Sequence, residues 1–148
     1  MTPNKEDYLK CIYEIGSRHK KITNKEIAQL MQVSPPAVTE MMKKMLAEEL
    51  LVKDKKAGYL LTDLGLRLVS DLYRKHRLIE VFLVNHLGYS TDEIHEEAEV
   101  LEHTVSERFV ERLDAMLQYP KTCPHGGTIP AKGELLDEEN QLTLEEAS

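Results

Sequence analysis

Apolar residues recur every three to four positions through most of this chain and alternate in only one short stretch, a pattern that predicts a mainly α-helical protein with a single β-hairpin. From Lys5 to Ser17, the residues Tyr8, Leu9, Cys11, Ile12 and Ile15 form one apolar helical face that ends near Gly16. A second helix opens at Thr23 or Asn24, both good N-caps, and carries Ile27, Ala28, Leu30 and Met31 on its inner side. After a break at Gln32-Val33, Ser34 caps a third helix that runs to about Glu49. Pro35 and Pro36 sit in its first turn, where proline forfeits no hydrogen bond. The segment LLVKDKKAGYLLT then places two short apolar runs around a lysine-rich turn containing glycine, which reads as a hairpin. Helical spacing resumes from Asp63 to Leu87, GYST interrupts it, and a further helix is expected from about Thr91 to Tyr119. Beyond Pro120 the chain is loop-like and its end is acidic, with little to pack.

The second and third helices have the spacing of a helix-turn-helix. Ala28 is small where two helices would cross, Val33 is apolar at the turn, and Val38 would bury the following helix, although Gln32 stands where glycine is common. A basic hairpin directly behind that motif is the winged-helix arrangement. In such a module the start of the second helix enters the major groove of double-stranded DNA. Ser34, Pro36, Ala37, Thr39 and Glu40 would then face bases, while Lys43 and Lys44 on the helix and Lys53, Lys55 and Lys56 in the wing would neutralise phosphates.

Composition sharpens this division. With 148 residues, 41% hydrophobic and 30% charged, the chain has room for one sizeable core or two small ones. No apolar run approaches membrane-spanning length, and the N-terminus lacks a signal-peptide core, so a cytoplasmic protein is expected. Its two cysteines, Cys11 and Cys123, make no disulfide framework. The net charge of −7 is unevenly spread. Residues 1–78 hold 15 Lys+Arg against 10 Asp+Glu, whereas residues 79–148 hold 4 against 16. A basic half suits a polyanion and an acidic half suits a cation.

The acidic half also has the right chemistry for a metal. At about 100° per residue, His95, Glu99, Glu102 and His103 fall on one side of a helix, next to an apolar stripe of Ala98, Leu101, Val105, Phe109 and Met116. Carboxylates at the edge of a core are costly unless something neutralises them. His76 and Glu80 form a second pair at i, i+4. There is no H-E-x-x-H motif of the kind a zinc hydrolase would use.

Taken together, E-D-Y-L at 6–9, VSPPAVTEMMKKM, KAGYLLTDLG, Y-R-K-H-R-L-I-E at 73–80 and H-E-E-A-E-V-L-E-H at 95–103 resemble the diphtheria-toxin-repressor family of metal-dependent transcriptional regulators, and its manganese-responsive branch most of all. The resemblance implies a winged-helix DNA-binding domain over 1–72, a helical metal-binding and dimerisation domain over 73–140, and an acidic tail or start of a linker over 141–148. It implies a first metal site of Asp7, His76, Glu99, Glu102 and His103. Iron-responsive relatives carry a methionine at the position of Asp7 and a cysteine at that of Glu99, so carboxylates there harden the set and favour Mn²⁺. A second site would use Glu80, Cys123 and His125, and iron-type relatives use the positions of His76, Glu80 and His95 as an ancillary site. Lys10 stands where other manganese-type relatives are acidic, so no two-metal cluster is implied at the first site. Longer relatives continue into a small β domain, and the chain would be a short or truncated form of these.

The expected protein is therefore a homodimeric, Mn²⁺-dependent repressor of metal-uptake genes that binds a palindromic operator and is not an enzyme, with Fe²⁺, Zn²⁺ or Cd²⁺ as alternative ions in vitro. Leu78, Val81 and Phe82, with apolar positions between Thr91 and Tyr119, are candidates for the dimer contact. The alternatives are a metal-independent winged-helix regulator and a metallohydrolase.

Overall fold

The computed structural model describes residues 4–136. The tail expected over 141–148 lies outside the described residues. Among these there are six helices and one two-stranded antiparallel sheet, in the order α1 (Lys5–Ser17), α2 (Asn24–Met31), α3 (Pro35–Ala47), β1 (Leu51–Asp54), β2 (Gly58–Leu61), α4 (Asp63–Leu87), α5 (Ile94–Glu102) and α6 (Glu107–Met116). The chain divides into two compact units, the first reaching Val69 and the second spanning Ser70–Leu136.

In the first unit, local chemistry sets each helix boundary. Asn4 and Asp7 close a reciprocal capping box on α1, Thr23 accepts from the Glu26 N–H on α2, and Ser34 accepts from the Ala37 N–H on α3. Gln32 ends α2 in the left-handed region, with φ 55° and ψ 47°, which is the conformation that makes glycine common at this turn. The inner side of α2 is narrower than its pattern predicts, because Leu30 is 48% exposed. It lies roughly 110° from the middle of the arc that Ile27, Ala28 and Met31 share, and so falls on the rim of an eight-residue helix.

The hairpin pairs Leu51 with Leu61 and Asp54 with Gly58. Its turn is held by the Asp54 carboxylate, which accepts from the Lys56 and Ala57 N–H groups at 2.9 and 2.7 Å. The Ile22 N–H donates to the Ala57 carbonyl at 2.8 Å, so the wing is tied to the segment preceding α2.

The second unit packs the later part of α4 against α5, α6 and the segment that follows, with Leu78, Ile79, Leu83, Ile94, Ala98 and Val110 at its centre. Three expectations change here. The single helix expected from Thr91 to Tyr119 is two helices, broken over residues 103–106. Ser106 accepts from the Phe109 N–H at 3.1 Å and starts a new helix, while the Thr104 hydroxyl bonds back to the Leu101 carbonyl. Because helical register restarts at Ser106, Val110 and Leu113 turn inward, and Phe109 and Met116 are about half exposed. Leu78 and Val81, proposed for a dimer contact, are instead interior residues at 0% and 6% exposure.

Candidate metal centre

Two charged contacts hold the second unit's helices around the His/carboxylate residues. The Arg74 guanidinium donates to Asp114 at 3.0 Å from a nearly buried position, and the Lys75 ammonium pairs with both Asp71 and Glu107 at 3.2 and 3.1 Å. They join α4 to α6, and the next residue on α4 is His76.

The His76 ring is buried between two buried carboxylates. Nδ1 lies 3.0 Å from Glu102 Oε1 and Nε2 lies 3.2 Å from Glu80 Oε2. A neutral imidazole has one N–H and one lone pair, so both contacts are favourable only for an imidazolium or with a cation beside one nitrogen. Glu80 is 2% exposed, and its Oε2 also lies 3.5 Å from His125 Nδ1 and 4.0 Å from His95 Nδ1. Burial pushes the Glu80 carboxyl up. The hydrogen bond to His76 and the charges of His76, His125 and His95 outweigh that and bring it below the ordinary glutamate value.

The loop after α6 is itself ordered around its ligand candidates. Cys123 N–H donates to the Gly127 carbonyl, Gly126 N–H donates to the Cys123 carbonyl, and Thr122 bridges to Thr128. Gly127 N–H points at the Cys123 sulfur at 3.3 Å. Gly127 also leaves room for Arg77, because a Cβ there would lie 3.0 Å from the guanidinium carbon. That guanidinium stacks on Tyr73 and donates to the Thr128 carbonyl. His125 Nε2 lies 3.2 Å from the Thr91 carbonyl. Since a carbonyl can only accept, Nε2 carries a proton towards Thr91 while Nδ1 faces the Glu80 carboxylate.

Among the described residues, two groups of three bring ligand atoms within 4.8 Å of one another: His76, Glu80 and His95, and Glu80, Cys123 and His125. His95 belongs to neither of the two ligand sets that the resemblance implies for this chain, although iron-type relatives use its position in an ancillary site. Its T-shaped contact with His76, ring centroids 4.9 Å apart, depends on how α5 packs on α4 and has no signal in spacing along either helix. Of the other residues carried over from the resemblance, Glu102 contacts His76, and Glu99 is half exposed with its carboxylate 3.2 Å from His95 Nε2. His103 is the C-cap of α5. Asp7 belongs to the first unit, where its carboxylate accepts from the Asn4 N–H at 3.0 Å. The donors present, imidazole, carboxylate and one thiol, suit a divalent first-row ion.

In the first unit, the side chains expected to meet DNA are exposed: Ser34, Pro36, Ala37, Thr39, Glu40, Lys43 and Lys44 on α3, and Lys53, Lys55 and Lys56 on the wing. Val38, Met42 and Met45 bury the opposite side of α3. The Thr39 hydroxyl donates to the Pro35 carbonyl at 3.1 Å, within its own helix.

The profile described as "Iron dependent repressor, N-terminal DNA binding domain" matches residues 1–59, and "Iron dependent repressor, metal binding and dimerisation domain" matches residues 62–131. The HTH-type transcriptional regulator MntR of Geobacillus kaustophilus (strain HTA426) is 33% identical over 118 residues, 80% of this chain and 83% of that protein. The chain belongs to the iron dependent repressor family. Among solved structures, ScaR with bound Zn²⁺ is 85% identical with a TM-score of 0.87, and the match covers 98% of this chain and 68% of that one. The manganese regulator SloR is 70% identical with a TM-score of 0.83, covering 94% of this chain and 65% of that one. This protein is thus a metal-dependent transcriptional repressor of the MntR, ScaR and SloR type, with a DNA-binding first unit and a metal-binding, dimerising second unit. No described helix is long and apolar enough to cross a membrane.

Proposed function

We propose that this repressor responds to Mn²⁺ and controls metal-uptake genes from a palindromic operator in the cytoplasm. The observation that carries the reading is the placement of the His76 ring between the buried carboxylates of Glu80 and Glu102, an arrangement that calls for positive charge. A set of imidazoles and carboxylates is hard enough for Mn²⁺, and the thiol of Cys123 admits Zn²⁺ or Cd²⁺. Relatives described as "ScaR with bound Zn²⁺", "ScaR with bound Cd²⁺" and "the manganese regulator SloR" support that range of ions.

His76, Glu99, Glu102 and His103 would hold one ion, with Asp7 added on the strength of the sequence resemblance, and Glu80, Cys123 and His125 would hold another. The bound ion supplies fixed positive charge that the apo side chains lack. Metal occupancy and DNA affinity are then coupled reciprocally. Val100, Phe109 and Met116, each about half exposed on α5 and α6, form the proposed homodimer face, which places two copies of α3 over two half-sites. A helical regulator of this kind has no need of an open coordination position, so no enzymatic activity is proposed.

Fluorescence anisotropy of a labelled operator duplex tests the reading. Mn²⁺ should tighten binding by at least about tenfold, equal to roughly 1.4 kcal/mol, and a chelator should reverse it. Equal affinity with Mn²⁺ and with chelator would show a metal-independent regulator.

A further inference from the structure

We infer that Arg77 is a positioning residue for the second ion: it clamps the loop that carries Cys123 and His125, and glycine stands at 127 to let it do so. The inference rests on the reading above, in which Glu80, Cys123 and His125 hold an ion, and deepens it. Arg77 lies on α4 about one turn before Glu80. Its guanidinium lies over the Tyr73 ring, 4.7 Å from the centroid, and donates to the Thr128 carbonyl. Stacking on a ring of its own helix orients the planar group, and the hydrogen bond delivers it to the loop.

Gly127 is where the clamp meets the ligands. The three atoms nearest to a Cβ there would all belong to Arg77, at 3.0, 3.0 and 3.3 Å. Backbone conformation does not demand this glycine: Gly126 has φ 86°, but Gly127 has no positive φ. What excludes a side chain at 127 is therefore the guanidinium. Gly127 in turn holds Cys123 at two points, its carbonyl accepting from the Cys123 N–H at 2.9 Å and its own N–H pointing at the sulfur at 3.3 Å. Arg77 thus ties the turn that carries the two loop donors to the same helix that carries Glu80, and sets their separation from that carboxylate. Groups that orient metal ligands from behind are worth about 10- to 100-fold in affinity.

The test is a Cd²⁺ titration that reads the thiolate-to-cadmium absorption band in the parent chain, Arg77→Ala, Gly127→Ala and the double variant. Absence of the band in Cys123→Ser assigns it to that sulfur. Each single variant, with parental circular dichroism, should raise the Cd²⁺ concentration at half-signal about tenfold. Gly127→Ala acts by pushing the flexible end of Arg77 aside, so once Arg77 is gone its methyl finds room. The double variant should therefore stay near about tenfold, whereas two independent weakenings would multiply to about a hundredfold. Alkylation of Cys123 in the metal-free protein, followed by peptide mass, should be faster in both single variants because the buried sulfur is released. Gly127→Ala carries the test should Arg77→Ala not fold. Half-signal within about twofold of the parent in both single variants, or a double variant near about a hundredfold, overturns the clamp while leaving the ion site intact. Unchanged alkylation in both overturns it equally. No band in the parent, with Mn²⁺-dependent operator binding preserved, means that the Cys123 site itself is wrong, and the proposal falls with it.

Discussion

His76 and Glu102, 26 residues apart in sequence, meet with Nδ1 and Oε1 at 3.0 Å, both side chains buried in the second unit. The contact fixes the plane of the imidazole and directs Nε2 at Glu80, so Glu102 controls His76 as a metal-facing group whatever else it binds.

Glu102→Ala should therefore raise the Mn²⁺ concentration needed for half-maximal operator binding by about 10- to 100-fold. It should also lower stability by about 1–3 kcal/mol, because a buried polar atom of His76 loses its partner. Anisotropy titrations with Mn²⁺, alongside urea denaturation of the same protein, separate the two effects. An unchanged Mn²⁺ requirement in a folded variant removes Glu102 from the centre.

The wing depends on one glycine. Gly58 has φ 83°, and a Cβ there would fall 2.0 Å from the Ile22 carbonyl oxygen. Gly58→Ala combines left-handed strain with a backbone clash and should destabilise the first unit by about 2 kcal/mol or more. Gly88→Ala is the control: it shares the positive φ, at 72°, but has no atom within 4 Å to meet. Its cost should stay at about 1–2 kcal/mol, that of the left-handed conformation alone. Urea midpoints that place the two variants together would show that the close approach is unimportant.

Cys11 should behave as an inert thiol. Burial, then the negative charges of Glu14 and Glu26, push it from 9.0 to about 11, so alkylation at neutral pH should be slow in the native protein and fast in urea. The same shift acts on stability. The folded state keeps its thiol proton where the unfolded chain has lost it, so this contribution is fully present below pH 9.0 and is lost as pH rises towards about 11. Cys11→Ala should lose stability less steeply over that alkaline range in denaturant titrations. Parallel slopes would assign the alkaline sensitivity to other groups.

Lys43 and Lys44 on α3 and Lys53, Lys55 and Lys56 on the wing are all exposed. If each meets a phosphate, each substitution by alanine should weaken binding to operator and unrelated DNA alike. The slope of log affinity against log salt should fall by about one per lysine removed. Pro36 and Ala37 changes should instead alter the preference between sequences with the salt slope kept. A lysine variant with an unchanged slope places that residue off the DNA.

The helices, their caps and the wing could be read from the chain because each is set by residues close in sequence. Ser34 with two prolines starts α3, Asp54 and Gly58 frame the hairpin turn, and apolar spacing defines α4 from end to end. Even the break between α5 and α6 has a local signal in Ser106 followed by Glu107, but a continuous apolar stripe runs across it and predicts one helix. That stripe misplaced Phe109 and Met116 as core because a register restart rotates every later residue around the axis.

The metal-type residues were equally visible as residue types, and His76 with Glu80 follows from helical spacing alone. Their grouping was not visible. Glu80 meets His95, Cys123 and His125 only because α5 and the loop after α6 pack onto α4, and such meetings depend on side-chain volumes in the shared core around Ile79, Leu83, Ile94 and Ala98. The sequence by itself determined which elements form and which chemistry the chain carries, since propensity, capping and periodicity act over a few residues. Tertiary structure alone decided that one buried carboxylate stands between two sets of cation donors, because distances between residues far apart in sequence are set by packing.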